Sequence, residues 1–99
     1  MTRIRRPVLE LNIRQGHIDE GVRGCPYKSA MALALEDAVH KWGNCWVGFR
    51  IARVTIPGWC TMFATLPMKA RQWNSAFDDG VPVEPTTFTL EFTEREWGD

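Results

Sequence analysis

Residues 17–39 read HIDEGVRGCPYKSAMALALEDAV, and the architecture of the N-terminal half follows from this stretch. His17 to Val22 offers about one helical turn, closed by Gly21 or Gly24. Pro26 suits the first position of a helix, where a missing N–H is no loss, and Cys25 then sits at the cap. From there Tyr27, Met31, Ala34, Leu35, Ala38, Val39 and Trp42 recur at spacings of three and four, the stripe of an amphipathic helix. Glu36–His40 and Asp37–Lys41 are i,i+4 pairs off that stripe. Gly43 is the expected stop, turning the chain left-handed.

Upstream, Leu9, Leu11 and Ile13 alternate with Glu10, Asn12 and Arg14, the period of a first strand that Gln15-Gly16 breaks. Downstream, residues 45–56 are β-branched and apolar, but their phase changes. Val47, Phe49 and Ile51 share one face, and Val54 and Ile56 continue it only if a residue is skipped. A bulge or tight corner near Arg50–Arg53 is therefore expected. Pro57-Gly58 makes a turn, and Cys60 to Leu66 returns as an antiparallel strand. Pro67 opens a further helix with Ala70, Trp73, Ala76 and Phe77 on its apolar stripe and Gly80 as its stop. Residues 81–85, VPVEP, cross back as an extended loop. Phe88, Leu90 and Phe92 alternate with polar residues in a last half-buried strand.

The expected order is β-(short α)-α-β-β-α-β. Two helices with one apolar stripe each need a shared surface, which points to an α+β two-layer sandwich: a small, mostly antiparallel sheet of about four strands packed by two helices. With both helices on one face, the other face of the sheet is open to solvent or to a partner.

Ninety-nine residues with 44% hydrophobic and 11% aromatic content make one globular domain. Twelve basic residues balance twelve acidic ones, so no overall field draws in nucleic acid or a membrane surface. Arg3, Arg5 and Arg6 form a basic N-terminal arm over residues 1–7, and Glu94, Glu96 and Asp99 an acidic tail over 93–99. The arm reads as a contact for nucleic acid or an acidic partner, as a solvated end, or as a segment paired with the C-terminal strand. No signal peptide is recognisable, and no apolar run approaches the roughly 20 residues of a membrane span. Three cysteines without framework spacing suit free thiols in a reducing cytoplasm.

Four constellations are candidates for chemistry. Cys25 at a helix N-terminus would favour its thiolate, with His17 or His40 as base, although no orienting residue or oxyanion loop accompanies it; the alternative is a half-buried cap. Cys25, Cys45, Cys60, His17 and His40 could supply zinc ligands but lack paired-ligand spacing, so no metal and no cofactor is expected. The acidic pairs Asp19-Glu20, Glu36-Asp37 and Asp78-Asp79 are sequence neighbours, which do not face one another on a helix. The fourth is a tryptophan and arginine set: Trp46, Gly48 and Arg50 lie opposite Val47, Arg53 and Thr55 join them after the phase break, and Trp59 sits at the following turn. Such residues anchor protein interfaces or stack single-stranded bases, or else are core with arginine stems over them.

His17, Ile18, Gly21, Cys25, Pro26 and the Ala30–Leu35 run resemble a group of small tailed-bacteriophage and prophage proteins, in which a strand leads into an HI-x-x-G turn, a CP step and an Ala/Leu-rich helix. Leu66-Pro67, Ala70-Arg71, Phe77-Asp78, Gly80, Val83, Pro85 and Phe88 resemble the second half of the same group. The chain departs from that pattern at Arg14, where a capping threonine is usual, and at Tyr27-Lys28-Ser29, which lengthens the step into the helix. The resemblance implies a phage or prophage origin and names no activity. Small phage proteins often bind a host or defence-system protein complex and inhibit or redirect it, in the manner of an anti-CRISPR protein, and by that analogy of origin and size a non-enzymatic accessory role is expected. Trp46, Arg50, Arg53 and Trp59 are the expected partner contacts. The alternatives are a nucleic-acid-binding module using the same face with Arg3, Arg5 and Arg6, and a cysteine-dependent enzyme.

Overall fold

Phe92 is fully buried and joins two stretches of one extended ribbon at the C-terminal end of the chain. The computed structural model describes residues 4–5, 8–40, 43–58 and 60–96; Arg3, Arg6, Lys41, Trp42, Trp59 and Asp99 lie outside them. In chain order the elements are β1 (Ile4–Arg5), β2 (Val8–Ile13), α1 (Gln15–Glu20), α2 (Ala30–Ala38), β3 (Asn44–Val47), β4 (Ile51–Ile56), β5 (Cys60–Thr65), α3 (Met68–Asp78), β6 (Thr86–Glu91) and β7 (Thr93–Glu96). β2 pairs with β6, while β1, β7, β5, β4 and β3 form a five-stranded sheet in that order. Every pairing is antiparallel. Ile4 faces Arg95 and Val8 faces Glu91, so both N-terminal strands run along the C-terminal ribbon in a single register. Part of the expected acidic tail is thus strand β7, and the basic arm pairs with it through Ile4–Arg5.

One face of this assembly is core. Leu11, Ile13, Cys45, Val47, Ala52, Val54, Met62, Ala64, Leu90 and Phe92 are buried there, as the strand period demands. Helix α2 packs against β2, β3 and α1, and Ala30, Met31, Ala32, Ala34 and Leu35 are all buried. Helix α3 adds Ala70, Asn74 and Phe77, with Trp73 stacked on Phe77 at 6.0 Å and donating through Nε1 to the Glu84 carbonyl. Each fully buried leucine or phenylalanine contributes roughly 1.5–3 kcal/mol by leaving water. The result is the α+β two-layer sandwich expected from the pattern, with three helices and seven short strands among the described residues.

Three local details differ from the sequence reading. Helix α2 begins at Ala30, with Ser29 as its cap accepting from Ala32 N–H at 3.2 Å. Cys25 and Pro26 instead start a turn closed by Lys28 N–H on the Cys25 carbonyl. The serine hydroxyl satisfies an orphan helix donor and a cysteine does so poorly, so the capping residue wins over the proline signal. The helix ends at Ala38 with Val39 as its C-cap, and His40, at φ 55°, makes the left-handed turn expected at Gly43. Gly43 serves a different need: a Cβ there would lie 2.7 Å from the Thr55 carbonyl oxygen. Third, the phase break falls between Val47 and Ile51. Val47 faces Ala52, and Gly48 N–H donates to the Ile51 carbonyl, leaving Phe49-Arg50 as a two-residue hairpin loop. The turn at Pro57-Gly58, helix α3 after Pro67 and its stop at Gly80 (φ 81°) lie where the sequence put them.

Candidate functional site

Alternation along each strand gives the sheet a second face, away from the helices. The register aligns Trp46 with Arg53, Arg53 with Phe63, and Phe63 with Thr93 across four neighbouring strands. Ile51 faces Thr65 in the next row. Trp46, Arg50 and Arg53, three of the expected contact residues, therefore come together, and Phe49, Ile51 and Phe63 join them. These three are 68%, 44% and 46% exposed, large apolar side chains of a kind a soluble surface rarely gathers in one place. Together the six line an open hollow of about 450 Å³ with no carboxylate in its walls among the described residues.

Local geometry holds the indole in place. The Arg53 guanidinium carbon lies 5.3 Å from the centre of the Trp46 ring, within the range of a cation–π contact. The six-membered part of the indole rests directly on Gly48, where any Cβ would collide with it. Trp46 and Gly48 are two residues apart on one strand face, so a missing side chain at 48 is what lets the ring lie down. The hollow continues past Ile51 and Phe63 into a cleft of about 390 Å³, where β5 and β6 diverge and Thr89, Glu91 and Thr93 form the far wall.

The sequence pattern puts Phe49 and Ile51 on the core face with Val47; the hairpin turns them outward. Phe63 carries a signal of its own, since Thr61, Phe63 and Thr65 alternate against Met62, Ala64 and Leu66, which puts a phenylalanine on a threonine-lined face. Trp59 lies outside the described residues, as do Arg3 and Arg6.

The other constellations come apart in space. His17 is buried, its Nδ1 accepting from the Arg14 backbone N–H at 2.9 Å and its Nε2 lying 2.6 Å from Asp37 Oδ2. Nδ1 thus carries no proton, Nε2–H donates to the carboxylate, and neither nitrogen is left to act as a base. This arrangement completes the start of α1, where Arg14 is the N-cap but supplies no capping side chain. Cys25, half-buried, is in the turn before α2 and off the helix N-terminus. Burial, assisted by the Glu36 charge, pushes the Cys45 thiol up to about 12, which opposes a thiolate ligand or nucleophile. Among the described residues no group of three or more histidines, cysteines and carboxylates could hold a metal ion. No described helix is long and apolar enough to cross a membrane.

A larger hollow of about 630 Å³ lies between α1 and the segment after α3. Asp19 and Arg23 are the ionisable residues in its lining, which is otherwise the apolar seam of Ile18, Val22, Phe77 and Val81 around Gly21. It gathers no convergent set of polar groups, and the aromatic and arginine face is the stronger candidate. Comparison with protein-family models, curated proteins and solved structures returns no match.

Proposed function

We propose that this chain is a non-enzymatic accessory protein of phage or prophage origin that binds a bacterial host or defence-system protein complex and inhibits or redirects it. The observation that carries the reading is the open sheet face, where Trp46, Phe49, Ile51 and Phe63 are grouped with Arg50 and Arg53 around a hollow with no carboxylate in its walls among the described residues. Aromatic side chains and arginine dominate the energetics of protein interfaces because they bury much area while keeping directed donors. The pinned geometry of Trp46 reduces the entropy lost when a partner covers it. Retention of a host complex from bacterial lysate by the immobilised chain tests this reading. Trp46→Ala combined with Phe63→Ala removes that retention and leaves a cooperative melting curve; equal retention by the double variant refutes the surface.

Arg53 stacked on Trp46 at a sheet surface also suits single-stranded nucleic acid. Glu10 and Glu91 on the same face weigh against it. Binding to single-stranded DNA or RNA that falls steeply with salt would favour this second reading.

A further inference from the structure

The open face is divided by charge. At the β3–β4 end stand Arg50 and Arg53; at the β2–β6 end stand Glu91 and, by strand alternation, Glu10. Among the described side chains, the first end carries no carboxylate; at the second, Arg14 stands beside Glu10 but is held by Asp37 at 3.3 Å, so that end stays net acidic. Ile51 and Phe63 lie between, lining both the hollow and the cleft. A surface that is basic at one end, apolar in the middle and acidic at the other is complementary to a copy of itself turned by a half rotation.

The direction of that rotation is fixed by the register. Ile51 lies one strand to one side of β5, opposite Thr65, and Glu91 lies on the ribbon to the other side. A two-fold axis along β5 exchanges these two sides, setting Glu91 of each copy against the Arg50–Arg53 end of the other and Phe63 against Phe63. An axis across the strands would instead lay arginine on arginine. Charge complementarity therefore selects one arrangement, face to face, with the two sheets rotated by about 30° as packed sheets usually are.

We propose that a second copy of this chain is the resting occupant of the open face, in a two-fold dimer about β5 that must open before a host partner can bind. This rests on the reading of the face as an interaction surface and adds what covers it when no partner is present. The dimer shields four large apolar side chains and delivers them only to a partner that outcompetes the second copy.

Sedimentation equilibrium over a range of protein concentrations tests the proposal. The wild-type chain is expected to self-associate as a dimer. Arg50→Glu with Arg53→Glu, and separately Glu91→Arg, each weaken association at least about tenfold. Combining the three substitutions restores it, and Phe63→Ala weakens association without being rescued by charge. Circular dichroism checks that every variant is folded. A wild-type chain that is monomeric at all concentrations, or a combined variant no tighter than its parents, overturns the dimer. A monomer that still retains a host complex through Trp46 and Phe63 overturns the dimer alone. A charge-swappable dimer whose host binding ignores Trp46 and Phe63 upholds the dimer and removes the host-binding reading instead.

Discussion

Arg53 and Trp46 face one another across β3 and β4, with the guanidinium carbon 5.3 Å from the centre of the indole ring. The contact leaves the ring half-buried and turns the arginine head along the sheet rather than away from it. A partner thus meets a ring and a cation already arranged, and the organisation of the hollow depends on this pair. Arg53→Ala should lower stability by about 1 kcal/mol or less, since cation–π contacts at partly exposed sites are worth about that. Its effect on partner affinity should be larger than its effect on the denaturation midpoint. Chemical denaturation beside a binding titration separates the two.

His17 should behave as a structural residue. Its neutral Nε2–H tautomer follows from the Arg14 N–H bond to Nδ1, and long-range nitrogen–proton correlation spectra would observe it directly. His17→Ala removes the ties to both Arg14 and Asp37 and leaves a void at a site 7% exposed, at a cost of about 2–3 kcal/mol. Urea denaturation measures the loss.

Cys45 makes the fold sensitive to alkali. Its thiol titrates near 9.0 when unfolded and at about 12 in the fold. The unfolded chain therefore releases this proton first. Stability is unaffected by this group below the unfolded value and falls as pH rises from there towards about 12. A Cys45→Ala variant should lose part of that alkaline decline. At mildly alkaline pH a thiol reagent should modify Cys25 before Cys45, which mass spectrometry of the labelled peptides resolves.

Gly21 lies where α1, α2 and α3 meet. A Cβ there would lie 2.6 Å from Ala30 N and 2.8 Å from Phe77 Cζ, and the backbone nitrogen cannot move aside as a flexible side chain could. Gly21→Ala should cost at least about 2 kcal/mol. Gly16→Ala is the control, because nothing lies within 4 Å of its added Cβ; it should leave the melting temperature unchanged or raise it. Paired thermal melts make the comparison.

The elements with internal periodicity were legible in the sequence. Strand β2, helix α3 and the alternation of β6 follow from spacing alone, because each buries a face set by its own repeat. The hairpin at 48–51 was less so. A two-residue loop shifts the buried positions from odd numbers (Cys45, Val47) to even ones (Ala52, Val54), and Phe49-Arg50 lacks the glycine or asparagine that usually marks such a turn. The break in phase is therefore visible in the sequence but falls earlier than the pattern suggests, which reverses the face of Phe49 and Ile51. At α2 two signals competed, Pro26 and Ser29, and the side chain able to accept from a helix N–H prevailed. The pairing of residues 4–13 with the C-terminal ribbon was beyond local pattern, since nothing nearby in the sequence specifies which strand lies beside which. Of the six residues around the hollow, Trp46, Arg50 and Arg53 follow from composition and alternation, Phe63 is legible from the alternation of β5, and Phe49 and Ile51 depend on the hairpin.

Gly48→Ala is the most direct probe of the central claim, that the seated Trp46 ring belongs to a binding surface. The substitution touches no core residue and displaces only the indole that rests on position 48. A displaced Trp46 indole resonance with an unchanged denaturation midpoint would establish that the change is local. Partner affinity, measured by calorimetric titration of the retained host complex, should then fall at least about tenfold relative to wild type. An unchanged affinity with a displaced indole would contradict the account.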